Sequence, residues 1–430
     1  MTPQPSVSLS SCHCRMRSGT LLGSFTLPVA IQTTDGLSWS DEGQLAIATK
    51  KGVLVYEVTP DATCRRKGLN FVKTFVENES DVNPLELVDV PSEDERAQLP
   101  RHLRSDLVMD RLVSPHLVTG ETVFKQPARV GWSPASEAEG GRPCLMVLTL
   151  DRRLRAMRQG GRRWETVWDV SKLLSSHFNS LQPTSRRPPC EASEVVRSVQ
   201  SRCSTQATSC WCWLGESLLL TAQHSGHLVL LSAGNTPNTP TVRSVHRCEV
   251  TEVSCLRHCT VDGVSLLIVA GGDGRVELLK MEQQTISSLG LIWADRDRLK
   301  VNLIQVSPKT SANYFTVILA KMNFCVFLKI RIVNGCRLEF GKSSHINTGM
   351  TAIVGLELYR DKLILSSQKS GIKICNLKSI GSGLEPVSLD IRRDDYFCHG
   401  MAASGNKTVL ACLDNISSYH DHLILREGFI

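Results

Sequence analysis

The chain has 430 residues, 41% of them hydrophobic, and Lys and Arg outnumber Asp and Glu by 49 to 42, for a formal net charge of +7. That apolar share is ample for a packed core, and the mild positive charge permits an acidic partner without demanding one. The longest apolar runs, such as Val264 to Ala270 and Phe324 to Leu328, are strand-length and fall short of the ~20 residues that span a bilayer.

Residues 1–19 are expected to be a flexible tail. The opening Met1-Thr2-Pro3-Gln4-Pro5-Ser6 lacks the charged region followed by an apolar run that marks a secretory signal. A reducing compartment is therefore the expectation, with most of the sixteen cysteines acting as small buried hydrophobes rather than disulfide partners.

From Gly36 onward a cassette repeats. Gly36-Leu37-Ser38-Trp39-Ser40 reads as a short strand, Gln44 to Thr49 as a second, Lys50-Lys51-Gly52 as a tight turn and Val53 to Val58 as a third. The same grammar returns at Val130 to Pro134 with Cys144 to Leu150 and Leu154 to Met157. It returns again in the stretches 211–231, 252–280, 301–330, 352–377 and 399–412. Apolar and polar residues alternate at a period of two, as in half-buried strands. No copy buries its apolar face alone, so copies must stack. The predicted fold is all-β, a seven-bladed WD-repeat-like β-propeller over residues 20–430. Its blades fall near 36–76, 128–171, 208–248, 251–293, 299–341 and 350–391, and the last begins near His399. Gly52, Gly226, Gly274 and Gly371 occupy the same turn slot, where hairpins need a positive φ. The last blade lacks a strand, and the apolar Leu21 to Ile31 is predicted to supply its outer strand and so remove an exposed edge.

Two stretches break the rhythm, at about 77–121 and 175–206. Both are predicted to be surface insertions, partly disordered.

Several residues then resemble a known family. Val108-Met109-Asp110-Arg111-Leu112-Val113-Ser114-Pro115 is followed by Phe124-Lys125, Gly131-Trp132-Ser133-Pro134, Gly141-Arg142-Pro143-Cys144-Leu145 and Leu148-Thr149-Leu150-Asp151-Arg152-Arg153-Leu154, with Trp164, Val167 and Asp169-Val170 closing the stretch. The order resembles the N-terminal WD-repeat region of the general transcription factor 3C polypeptide 4 family, subunits of the RNA polymerase III factor TFIIIC. The resemblance implies a nuclear location. It implies assembly with other TFIIIC subunits, with TFIIIB and with RNA polymerase III on promoters of tRNA and other small-RNA genes, touching promoter DNA mainly through the complex. It also implies histone acetyltransferase activity towards histone H3, which would make acetyl-CoA a cofactor. The chain ends at Ile430, before the family's Cys/His zinc-binding part, so properties seated there are not expected.

The residues themselves favour binding over catalysis. Gln223-His224-Ser225-Gly226-His227 and Gln368-Lys369-Ser370-Gly371-Ile372 approach an acetyl-CoA loop but lack its final small residue and fall in strand turns. No catalytic residue, cofactor or metal site is assigned. His246, Cys248, Cys255, His258 and Cys259 cluster without the clean spacing of a zinc knuckle, and buried or edge thiols are the favoured reading. The leading candidate is an arginine group, Arg152, Arg153, Arg155, Arg162 and Arg163, joined by Arg158, on what is expected to be one exposed hairpin and its turn. Arginine forks suit phosphate or carboxylate. DNA backbone, an acidic protein segment and a merely solvated face all remain open. The overall expectation is an assembly platform in TFIIIC, with an acetyltransferase and an unrelated WD-repeat adaptor as alternatives.

Overall fold

The computed structural model describes residues 20–31, 36–60, 69–77, 99–120, 123–134, 143–161, 163–181, 191–232, 240–311, 314–334, 337–359, 362–367, 371–377, 387–388, 397–404, 409–417 and 420–427. The expected tail 1–19 lies outside them, as do 78–98 and 182–190 of the two insertions.

Six antiparallel sheets are made from consecutive strands. Blade 1 runs from Leu37–Trp39 to Leu69–Glu77, blade 2 from Pro127–Trp132 to Arg163–Asp169, and blade 3 from Thr208–Leu214 to Thr241–Arg247. Blade 4 runs from Cys255–Val261 to Thr285–Trp293. In blade 5, Val301–Ser311, Tyr314–Lys321 and Phe324–Val333 are followed by an outer edge split into Arg337–Phe340 and Ser344–Asn347. Blade 6 runs from Ile353–Tyr359 to Val387–Ser388. A further sheet is composite: Phe397–Ala403, Val409–Ser417 and His420–Glu427 from the end of the chain take Thr20–Thr26 as their outermost strand. The expected strand from the start of the chain therefore sits on the last sheet, with Ser24 opposite Ile424 and Thr26 opposite His422.

The apolar positions explain why the sheets form a ring. Period-two alternation gives every sheet two apolar faces, and each face meets a different neighbour. Blade 2 shows the arrangement. Leu145, Val147 and Met157 pack with Ala46, Val53 and Val55 of blade 1, whereas Met146, Leu148, Leu154 and Ala156 pack with Leu219, Val229 and Leu231 of blade 3. Equivalent cores join blades 3 and 4, 4 and 5, and 5 and 6. Ile364, Ile372 and Ile374 of blade 6 pack with Met401 and Cys412 of the composite sheet, whose Ala411 meets Leu45 and Ile47 of blade 1. The contacts close on themselves, which makes the fold a β-propeller, and the first strands of successive blades touch around its centre.

Direction within a blade fixes what each end of the ring presents. The first strand begins at one end, here called the mouth, and the second returns to it. The turn between second and third strands and the link to the next blade therefore lie at the mouth. The turns between first and second and between third and fourth strands lie at the far end. Backbone bonds clip neighbouring blades together at the mouth. Thr208 N donates to Arg152 O (3.3 Å), Glu252 N to His224 O (2.7 Å), Arg298 N to Asp273 O (3.1 Å) and Ile353 N to Met322 O (2.9 Å).

The described parts of the two insertions and their flanks are helical: α1 (Arg101–Met109), α2 (Pro115–Thr119), α3 (Val170–Ser180) and α4 (Ala192–Gln206). The reason is the apolar spacing. Leu103 and Leu107, and Val196, Val199 and Cys203, recur every three or four residues, which suits a helix face. Those faces pack on each other with Leu99, Leu112 and Val113. Asp169 Oδ1 accepts from Lys172 N (2.9 Å) to cap α3. Gln200 Nε2 donates to Asp110 Oδ2 (3.1 Å) across α1 and α4. Both insertions are links between blades, so this helical cap sits on the mouth, where Ser225 N donates to Ser204 O (3.1 Å).

Candidate functional site

The structure divides the five arginines. Arg152 and Arg153 lie in the second–third turn of blade 2, at the mouth. Arg163 lies beyond the strand Leu154–Gly160, at the far end, and Arg162 is outside the described residues. Seven residues of strand span ~20 Å, so the arginines cannot form one patch. Nor are they all exposed. Arg153 is 4% and Arg155 7% exposed, and Arg153 Nε lies 3.8 Å from the buried Asp151 carboxylate. Arg163 is exposed and Arg158 partly so. The single exposed turn expected from sequence is thus corrected: alternation sends Arg153 and Arg155 inward on the same face of the strand as Met157, towards blade 1.

Arg152 instead turns out to belong to a different assembly. It adopts φ +69°, in the left-handed region, and it lines a cavity of about 280 Å³ at the mouth. Ala128, Arg129 and Leu148 join it from blade 2, Ser209 and His224 from blade 3, Glu252 to Ser254 and Gly272 from blade 4, and Lys300 from the start of blade 5. Among these lining residues three cations face one carboxylate. Glu252 also holds a left-handed backbone, at φ +53°. Sparsely populated backbone of this kind persists where surrounding structure fixes it, and it concentrates at functional sites. Gly272 matters here for its missing side chain, because a Cβ would stand 2.9 Å from Glu252 Oε2.

The charges converge. Burial pushes the Cys210 thiol up to about 12, and the charges of Arg129 and Arg152 from blade 2 and of Lys300 from blade 5 act against that rise. Arg129 Cζ stands 5.8 Å from the Trp211 ring, which itself packs where Gly131 has no side chain. Burial, then the Arg152 charge, lower the pKa of His224, with Glu252 and Asp110 opposing. His224 is thus held more firmly in its neutral form than a free imidazole. Ser209 lines the cavity, and its buried hydroxyl makes no hydrogen bond among the described residues.

The sequence singled out only Arg152 from this basin, and for another grouping. Arg129, Ser209, Glu252 and Lys300 were missed, and His224 was noted only as part of the strand turn Gln223 to His227. The available signal was positional: Arg129 and Ser209 lie at the start of a first strand, Glu252 and Lys300 just before one, and His224 between second and third strands. Aligning the repeats by those two slots would have gathered them.

Other candidates resolve into structural roles. Gln223 Nε2 donates to Thr221 Oγ1 (3.0 Å), and Gly226 approaches Val250, so that stretch is a blade turn. Residues 368–370 lie outside the described residues. Cys248 and Cys255 are buried, and His258 Nε2 is 2.9 Å from Ser265 Oγ. Among the described residues no group of three His, Cys, Asp or Glu side chains is placed to hold a metal ion.

Comparison with known proteins adds the family. The profile for the transcription factor IIIC subunit delta β-propeller domain matches residues 39–419. A search of curated proteins finds no match. Among solved structures, a chain from "Crystal Structure of Mitotic Checkpoint Complex" aligns with a TM-score of 0.53 at 13% identity, covering 100% of both chains. At that identity the likeness concerns the fold alone.

Proposed function

The chain belongs to the transcription factor IIIC subunit delta β-propeller family, and from that premise we propose that it is a protein-interaction platform within TFIIIC, helping the complex recognise promoters and recruit TFIIIB and RNA polymerase III to tRNA and other small-RNA genes. Membership implies a multi-subunit complex and nuclear function. The observation that carries the reading is the extent of the match, which runs through all six contiguous blades and into the composite sheet. Physical chemistry supports it. A closed ring holds its loops on a rigid frame, and rigid frames with loops at their ends suit docking, because little order is lost on binding. In this reading DNA is met mainly through the complex, and neither a cofactor nor a metal takes part. The test is purification of the tagged chain from nuclear extract at moderate salt. Recovery of other TFIIIC subunits is expected. Recovery with none of them overturns the proposal.

A further inference from the structure

We infer that the basin at the mouth of the ring captures an acidic side chain, a carboxylate, presented by a segment of a partner protein. The inference deepens the platform reading and rests on it, by naming where and by what chemistry one partner is held. Three features carry it. First, Arg129 and Arg152 of blade 2 and Lys300 at the start of blade 5 line one cavity, against Glu252 alone among the lining residues. Arg152 and Lys300 make no ion pair among the described residues. Second, Ser209 is one of the cavity's lining residues and 8% exposed, and its hydroxyl has no hydrogen-bond partner among the described residues. A buried hydroxyl without a partner is costly, so its donor suits an incoming acceptor. Third, the cations are held in place. Arg129 lies on the Trp211 ring, and the Arg152 backbone is fixed by Thr208 N donating to its carbonyl and by its own N–H donating to Thr149 O (2.9 Å).

The shape selects the occupant. A cavity of about 280 Å³ admits one or two side chains, whereas a double helix, whose major groove alone is about 12 Å wide, cannot enter. Glu252 would repel a continuous run of phosphates, yet it can accept an N–H from the backbone of a bound peptide. An arginine fork and a serine hydroxyl together match the acceptor atoms of one carboxylate.

The probe is fluorescein-labelled hexaglutamate, with hexaglutamine and a short DNA duplex as comparisons, followed by anisotropy with the full chain at ~50 mM salt, where surface charge is weakly screened. Hexaglutamate is expected to bind and hexaglutamine not. The Arg152→Asn/Lys300→Gln double variant should weaken binding by about tenfold or more, as expected for lost charge-assisted hydrogen bonds. Asn is chosen because it tolerates the left-handed backbone of Arg152. Ser209→Ala should weaken binding several-fold without lowering the melting temperature. Arg163→Gln, at the far end, should bind as the parent does. If Arg152→Asn fails to fold, Lys300→Gln alone, on an exposed residue, gives the same reading. Equal binding by the basin variants overturns the inference. So does duplex DNA that displaces hexaglutamate and is lost with the same variants, because the surface is then a nucleic-acid site. These results leave the platform reading standing, since that reading falls only if TFIIIC subunits fail to co-purify with the parent chain.

Discussion

Replacing Gly226 by Ala separates two terms that the mouth of the ring combines. Gly226 sits between the second and third strands of blade 3 with φ +91°, and an added Cβ would stand 2.4 Å from Val250 O. Val250 is fully buried, so that oxygen has nowhere to go. Gly263 has nearly the same backbone, φ +78°, but nothing lies within 4 Å of its Cβ position. Gly263→Ala thus carries only the left-handed cost, ~1 kcal/mol. Gly226→Ala adds the forced separation of two packed backbones, for a total of ~3 kcal/mol. A 430-residue chain unfolds with an entropy of about 0.9 kcal/mol/K. The expected drops in melting temperature are then about 3 °C for Gly226→Ala and about 1 °C for Gly263→Ala. Thermal melts followed by circular dichroism, with urea midpoints as a second measure, read the difference. Equal losses for the two variants would show that the blades do not meet closely at this turn, and the account of the mouth would fail with it.

Trp132→Ala should cost ~2–3 kcal/mol, below the ~3–5 of a fully buried aromatic, because the ring is half-buried against Trp164 (6.3 Å) and its Nε1 donates to Ser38 O (3.1 Å). A urea midpoint within error of the parent would contradict this. Arg153→Ser should destabilise by ~3 kcal/mol, since it takes from the buried Asp151 its ion-pair partner and leaves only the weaker influence of Arg155, whereas the exposed Arg163→Ser should stay within ~0.5 kcal/mol. The reverse order would return the arginines to a common surface. Stability should also depend on acid. Burial holds the folded pKa of His224, His227 and His258 below the unfolded value of ~6.5. As pH falls below ~6.5 the unfolded chain takes up protons that the folded chain refuses, so stability is lost until the folded values are reached. His224→Gln should flatten that decline between pH ~6.5 and ~5, and an unchanged slope would argue against the buried placement.

Much of the fold was legible in the sequence because its determinants are local. Alternation marks strands, and a glycine with positive φ marks several of the turns, as at Gly226 and Gly274. A repeat that cannot bury itself implies stacking. The outer strand Thr20–Thr26 could be anticipated because the last sheet lacked one. Helix spacing at Leu103/Leu107 and Val196/Val199/Cys203 was equally local, although these stretches were read only as surface insertions that break the repeat.

The site was not legible, and the reason is geometric. Arg152 and Arg163 are near in sequence, yet a strand separates them and carries them to opposite ends of the ring. Arg129 and Lys300 are far apart in sequence, yet ring closure brings both to one basin. The alternation that identified the strand Leu154–Gly160 also turned Arg153 and Arg155 inward, but only the neighbouring blade shows that this direction is buried. The sequence alone therefore determined the repeating unit and its stacking, because strand and turn preferences act over a few residues. The tertiary structure alone decided which charges meet, because that follows from the order of blades around a closed ring.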